Sequence, residues 1–115
     1  MARMVGARRI VVTDVSDYRL KLALAVGADA VINVSDDKSM WSTMRKLGMT
    51  EGFDVGLEMS GRDTAFAAMI EHMRNGGKIA CLGLPARVIP VEMSKVILRG
   101  LSIKGIYGRE MFETW

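Results

Sequence analysis

The stretch that decides the fold is "IVVTDVSDYRLKLA", Ile10 to Ala23. Ile10, Val11 and Val12 are β-branched and suit a pleated strand, Asp14 stops the run, and a helical pattern follows at once. In that pattern Leu20, Ala23 and Leu24 fall on one face, with Ser16 placed to cap the helix and Gly27 to end it. A carboxylate between a strand and a helix has two candidate roles. It can cap the helix, since Asp is a preferred N-cap, or it can offer its oxygens to a ligand at the carboxyl end of a parallel sheet.

Working outward, the same alternation repeats. "DAVINV" reads as a second strand, and "SDDKSMWSTMRKLG" carries Met40, Trp41, Met44 and Leu47 at helical spacing between a Ser35/Asp36 start and a Gly48 stop. "FDVGLEMS" is a third strand. "RDTAFAAMIEHMRNGG" sets Ala65, Phe66, Met69 and Met73 on one helical face before Gly76 and Gly77, and "KIACLG" is a fourth strand. "ARVIPVEMSKVILRG" reads as a short extended piece and a short helix, "LSIKGIYG" as the last strand, and "REMFETW" as the start of another helix. Strands alternating with helices of about three turns predict right-handed βαβ units and a parallel sheet, so the fold class is α/β. No repeat, linker or low-complexity tract divides residues 1–115, which are read as one domain. The helical methionines are read as core gap-fillers.

Composition excludes several functions. Half of the 115 residues are apolar, enough for a packed core. The net charge of +3 is scattered, with Arg8 and Arg9 the densest basic pair and no aromatic interleaving, so no nucleic-acid partner is expected. One cysteine, Cys81, and one histidine, His72, allow neither an internal disulfide nor a four-ligand zinc constellation. No apolar run reaches the length of a membrane span and the N-terminus lacks a signal-peptide core, which predicts a cytoplasmic protein with no membrane partner.

"IVVTDVSDYRLKLA", "GMTEGFDVGLEMSG", "GGKIACLGLP" and "GLSIKGIYGREMFETW" resemble, nearly end to end, the cofactor domain of the zinc-dependent medium-chain dehydrogenase/reductase family. The first and third stretches are general to that family. "TEGFDVGLEMSG" and "IKGIYGREMFETW" favour its threonine-oxidising branch over the sorbitol and alcohol dehydrogenases. The resemblance implies a Rossmann-like doubly wound parallel sheet, incomplete because its first strand is missing. It also implies NAD as cofactor and a reaction that oxidises the 3-hydroxyl of L-threonine to 2-amino-3-oxobutanoate. In such enzymes an N-terminal catalytic domain supplies the zinc ligands and the proton relay, and a glycine-rich phosphate loop precedes the helix that leads into "GARRIVVTD". Neither is among these residues, and "MARMVGA" is expected to be the tail of that helix.

By the same resemblance Asp14 is the acid that binds the adenosine ribose. A carboxylate accepts hydrogen bonds from both ribose hydroxyls and repels a 2′-phosphate, which favours NAD over NADP. Arg19 is placed at the adenosine end, to pair with Asp14 or touch the ribose. Backbone at Leu82, Gly83 and Leu84 is expected against the nicotinamide ribose, with Ile106 and Tyr107 flanking the nicotinamide. No catalytic or metal-binding residue is expected among the 115. Cys81 is read as a small core residue, Glu58 as an acid at the ligand edge without an acid–base role, and Ser60 and Gly61 as turn formers. Arg109 and Glu110 are expected to reach toward substrate or a subunit interface in a whole enzyme.

In the strand order 3-2-1-4-5-6 the first strand is central, so its absence leaves "IVVTD" and "FDVGLEM" on either side of an open slot. Two outcomes are expected: closure of those strands on each other, or a homo-oligomer that fills the slot. Pairing of the last strand, Leu101 to Tyr107, across a two-fold axis is a second route to an oligomer. Three functional readings remain open: part of an enzyme, a stand-alone nucleotide-binding module, or a decayed oligomerising remnant.

Overall fold

The computed structural model describes residues 1–36 and 39–108, which fall into two compact units, Met1–Thr50 and Glu51–Trp115. In the first unit the order is β1 (Val11–Asp14), α1 (Asp17–Ala25), β2 (Ala30–Asn33) and α2 (Met40–Lys46). β1 and β2 are parallel, with Val11 opposite Ala30 and Asp14 opposite Asn33. Asp29 fastens this register just before the ladder begins. Its Oδ2 accepts the Ile10 N–H at 2.7 Å and an Arg3 guanidinium N–H at 2.6 Å, while its own N–H donates to the Ile10 carbonyl at 2.8 Å. Leu20, Ile32 and Met44 are buried here.

Gly27 ends α1 as expected. The Gly27 N–H donates to Leu24 O at 3.1 Å and the Ala28 N–H to Ala23 O at 3.0 Å, a Schellman closure that requires the positive φ of 103° found at Gly27. The same pair of bonds closes the helical turn of Met1–Val5, the expected "MARMVGA" tail. Two readings shift. Leu24 stays half exposed, so the inward face of α1 is narrower than its spacing implied. α2 begins at Met40 rather than near Ser35, because the Asn33 side-chain oxygen takes the Ser35 N–H at 3.0 Å and turns the chain. The Ser39 hydroxyl then caps the helix, accepting the Ser42 N–H at 3.4 Å.

The second unit runs β3 (Phe53–Glu58), α3 (Asp63–His72), β4 (Met73–Cys81), α4 (Met93–Leu98) and β5 (Ser102–Gly105). Its three strands are parallel in the order β3-β4-β5. Phe66, Ile70, Met73, Ile79 and Leu101 form its core, with Phe53, Met69, Cys81, Ile89 and Val96 packed against them. Met73, read as the last residue of a helical face, instead opens β4, and it is buried all the same. Phe53 lies opposite Met73 but Val55 opposite Lys78, so the residues between Met73 and Lys78 bulge from the ladder. α3 passes into β4 without a loop, which leaves its last carbonyls without helical partners. Arg99 partners two of them, Nη1 donating to Ile70 O and Glu71 O at 3.2 and 2.8 Å, and reaches the first carbonyl of β4, Met73 O, at 3.3 Å.

The sheet therefore comes in two parallel pieces, β1-β2 and β3-β4-β5. β1 hydrogen-bonds to β2 within the first unit, and β3 to β4 within the second. Each strand pairs with the one reached through a single short crossover, where closing the intervening chain is entropically cheapest. The "REMFETW" segment, with Arg109 and Glu110, lies outside the described residues. No helix among the described residues is long and apolar enough to cross a membrane.

Ile79 is 1% exposed at the centre of the second core. Ile79→Ala is expected to cost about 2–5 kcal/mol, read as a lower urea midpoint at unchanged slope.

Candidate functional site

The parallel ladders bring chemistry-bearing residues to the carboxyl ends of the strands, the edge where open α/β sheets take ligands. In the first unit this edge carries Asp14 at the tip of β1 and Asn33 at the tip of β2. Asp14 Oδ1 accepts the Ser16 N–H at 2.8 Å, closing the turn into α1, and the Ser16 side chain makes no cap bond of its own. Asp14 thus fills its helix-starting role. Its Oδ2 faces Arg19 Nη1 at 3.5 Å. The Ser16 N–H above all, and Arg19 with it, holds the Asp14 carboxyl below its ordinary value and keeps it ionised. A carboxylate has about four lone-pair positions, so Asp14 keeps acceptor capacity beyond these two partners. Asn33 was not singled out in the sequence. Its amide donates to Asp17 Oδ1 at 2.7 Å and to Val15 O at 3.4 Å, bracing the same turn. No spacing rule marks such a residue, because its role depends on being Asp14's ladder partner.

In the second unit the carboxyl edge gathers three segments. Ser60 and Gly61 follow β3, Leu82, Gly83 and Leu84 follow β4, and Ile106 and Tyr107 follow β5. The Ile106 N–H donates to Cys81 O at 2.9 Å, which holds the third segment beside the second. Leu84 and Tyr107 are almost fully exposed. Arg87 reaches back from the chain after β4 to pair with Asp63 at 2.7 Å, and this ion pair chiefly holds the Asp63 carboxyl below its usual value.

Glu58, the last residue of β3, is 4% exposed and the only buried charged residue among those described. Its Oε1 accepts the Ser60 N–H at 2.9 Å, the Ser60 hydroxyl at 2.5 Å and the Gly61 N–H at 3.2 Å, and its Oε2 accepts the Gly61 N–H at 3.0 Å. Its main-chain carbonyl accepts the Leu82 and Gly83 N–H groups at 2.7 and 3.1 Å. Both glycines are required by contact, and Gly61 also by its positive φ of 67°. A Cβ on Gly61 would lie 2.6 Å from Leu84 O, and one on Gly83 would overlap the Gly61 nitrogen and Glu58 Oε2. Cys81, Glu58's ladder partner, is half-buried, and burial followed by the Glu58 charge pushes its thiol up, away from the nucleophilic form. His72 ends α3 with Nδ1 2.6 Å from Ala68 O.

Of the sequence-read positions, Asp14 and Arg19 are together in the first unit. Leu82, Gly83, Leu84, Ile106 and Tyr107 are together in the second. Among the described residues no group of three or more His, Cys, Asp or Glu side chains converges to hold a metal ion, so the residues present do not fit a zinc site.

Residues 1–115 match the zinc-binding dehydrogenase family, and the chain belongs to that family. It is 59% identical over 115 residues to L-threonine 3-dehydrogenase of Shewanella sp. (strain W3-18-1), covering 100% of this chain and 33% of that protein. The chain thus spans about a third of the length of the curated relatives it matches. Among solved structures it resembles an alcohol dehydrogenase from Thermotoga maritima, with a TM-score of 0.84 and 27% identity over 96% of this chain and 32% of that one. It also resembles benzyl alcohol dehydrogenase from Acinetobacter calcoaceticus, with a TM-score of 0.80 and 27% identity over 91% and 29%. The fold is accordingly Rossmann-like, as the resemblance implied.

Two outcomes follow from this geometry. Gly83→Ala is expected to cost about 1–3 kcal/mol by overpacking the two loops, seen as a lower unfolding midpoint. Asp14, Asp29 and Asp63 all have folded values below their ordinary 3.8. The folded chain therefore binds fewer protons than the unfolded chain between those values. Their stabilisation is complete above the ordinary value and lost as pH falls through the lower folded values. Thermal midpoints should be flat near neutral pH and fall below about pH 4, less steeply in Asp14→Asn.

Proposed function

We propose that this chain is the NAD-binding part of an oxidoreductase that resembles L-threonine 3-dehydrogenase and converts L-threonine and NAD to 2-amino-3-oxobutanoate and NADH. The observation that carries the reading is Asp14, an ionised carboxylate at a strand tip whose remaining lone pairs suit two vicinal hydroxyls. The 59% identity across the whole chain supports the particular reaction.

Bound NAD supplies a nicotinamide carbon that accepts hydride. The chain's own residues do the holding. In the first unit Asp14 accepts the adenosine ribose hydroxyls, and its negative charge disfavours a ribose 2′-phosphate. Arg19, 72% exposed, keeps one end on Asp14 while its remaining donors face solvent and the adenosine. In the second unit the backbone of Leu82, Gly83 and Leu84 lies against the nicotinamide ribose, and Ile106 and Tyr107 cover the ring and exclude water. In this reading each unit supplies residues for one sugar of the dinucleotide, and the sequence holds no G-x-G-x-x-G run for its phosphates. No step is routed through zinc, which in this reading is held outside these residues.

The same proposal takes residues 1–115 as one cofactor domain of a cytoplasmic protein in threonine catabolism. It assembles as a homo-oligomer through Leu101 to Tyr107, whose backbone edge in β5 is unpaired on its outer side among the described residues.

Calorimetric titration of the chain with NAD tests the reading. Binding is expected to be stronger for NAD than for NADP and to fall at least tenfold in Asp14→Ala, the scale of losing charge-assisted hydrogen bonds to a carboxylate. A folded chain that binds neither dinucleotide, or an Asp14→Ala variant that binds as well as the parent, overturns it.

A further inference from the structure

We propose that Glu58 is a positioning residue for the nicotinamide side of the site, an inference that rests on the reading of Leu82 to Leu84 given above. One residue collects the backbone N–H groups of both neighbouring loops: Ser60 and Gly61 through its carboxylate, Leu82 and Gly83 through its carbonyl. The two loops also touch backbone to backbone, since neither Gly61 nor Gly83 has room for a Cβ. A shift of the Ser60–Gly61 turn must therefore move Gly83 and Leu84.

The carboxylate is not available to a ligand. It is 4% exposed, and both oxygens are occupied by donors of its own chain. Glu58 acts through the loops it holds, as neither acid nor base. Its chemistry suits that role, because every group around the carboxylate is a donor and a carboxylate only accepts. An amide in its place turns an NH₂ toward an N–H, leaving a buried donor mispaired.

The test compares the parent chain with Glu58→Gln and Ser60→Ala. NADH is titrated by the fluorescence of its reduced ring, AMP by calorimetry, and amide hydrogen exchange is followed at residues 60–61 and 82–84. Glu58→Gln is expected to weaken NADH about tenfold, the scale of one mispaired buried donor, and to shift the emission of the bound ring. AMP binding should be unchanged and exchange faster only at those loops. Ser60→Ala, which removes the hydroxyl that donates to Glu58 and accepts the Arg62 N–H at 3.2 Å while leaving the Ser60 and Gly61 N–H bonds to the carboxylate, should weaken NADH about twofold to threefold by the same rule. A folded Glu58→Gln chain with parental NADH affinity, emission and exchange overturns the proposal. If that variant does not fold, Ser60→Ala decides, and parental NADH binding there overturns it. A parent chain that binds AMP without altering NADH emission also overturns it while leaving the adenosine reading intact. Binding of neither ligand overturns the functional reading itself.

Discussion

A carboxylate withdrawn from water at the end of a strand has to be surrounded by donors, and Glu58 meets that condition with its own neighbours. A buried charge without partners costs several kcal/mol, about enough to remove most of a small domain's stability. The chain after β3 is therefore obliged to turn back on the carboxylate, which places Ser60 and Gly61. The carbonyl of the same residue accepts from Leu82 and Gly83, which places the chain after β4. The ligand edge of the second unit takes its shape from this one requirement more than from any contact among exposed side chains.

The same economy of groups appears at the opposite end of that unit. α3 runs into β4 with no intervening loop, so its terminal carbonyls have no helical partners, and the Arg99 guanidinium reaches two of them, Ile70 O and Glu71 O, and the first carbonyl of β4, Met73 O. Lys95 meanwhile ties Glu71 of α3 to α4 at 2.8 Å, and with it Glu92 at 3.1 Å. These pairs are partly exposed, and each adds little in water. Arg99 matters more because it answers carbonyls that would otherwise go unpaired beside the core.

Much of the fold was legible because periodicity and punctuation agree. β-branched runs became strands, and Gly27 and Gly48 ended helices with the predicted closure. Misplaced features have two causes, a local side-chain bond and the demands of the core. Asn33 captured the Ser35 N–H and delayed α2, and Met73 was drawn into β4, where the core holds it as well as a helical face would. The candidate site was legible at Asp14, where residue type and position on the strand both point to function. Leu82, Gly83, Leu84, Ile106 and Tyr107 came only through resemblance, since a backbone contact leaves no side-chain signature. Asn33 and Glu58's central place were not legible, because ladder partnership and carbonyl geometry exist only once the strands have paired.

Asp14 and Glu58 make the argument sharper when set side by side. Both are acids that end a strand and accept an N–H from two residues on. At Glu58 the longer side chain folds back under the turn, adds a hydroxyl and a second N–H, and is sealed from solvent. At Asp14 the shorter side chain takes the first N–H and faces an exposed guanidinium 3.5 Å away, and stays partly open. Both acids are followed two residues on by a serine, so one methylene of reach, with the hydroxyl and second N–H it brings within range, separates an acid fully engaged in shaping the chain from one with acceptor capacity left over. The two strand-end carboxylates of this chain are thus sorted by how many donors their own turn supplies, and Asp14, with fewer internal partners, is the one to which the proposal gives the ligand.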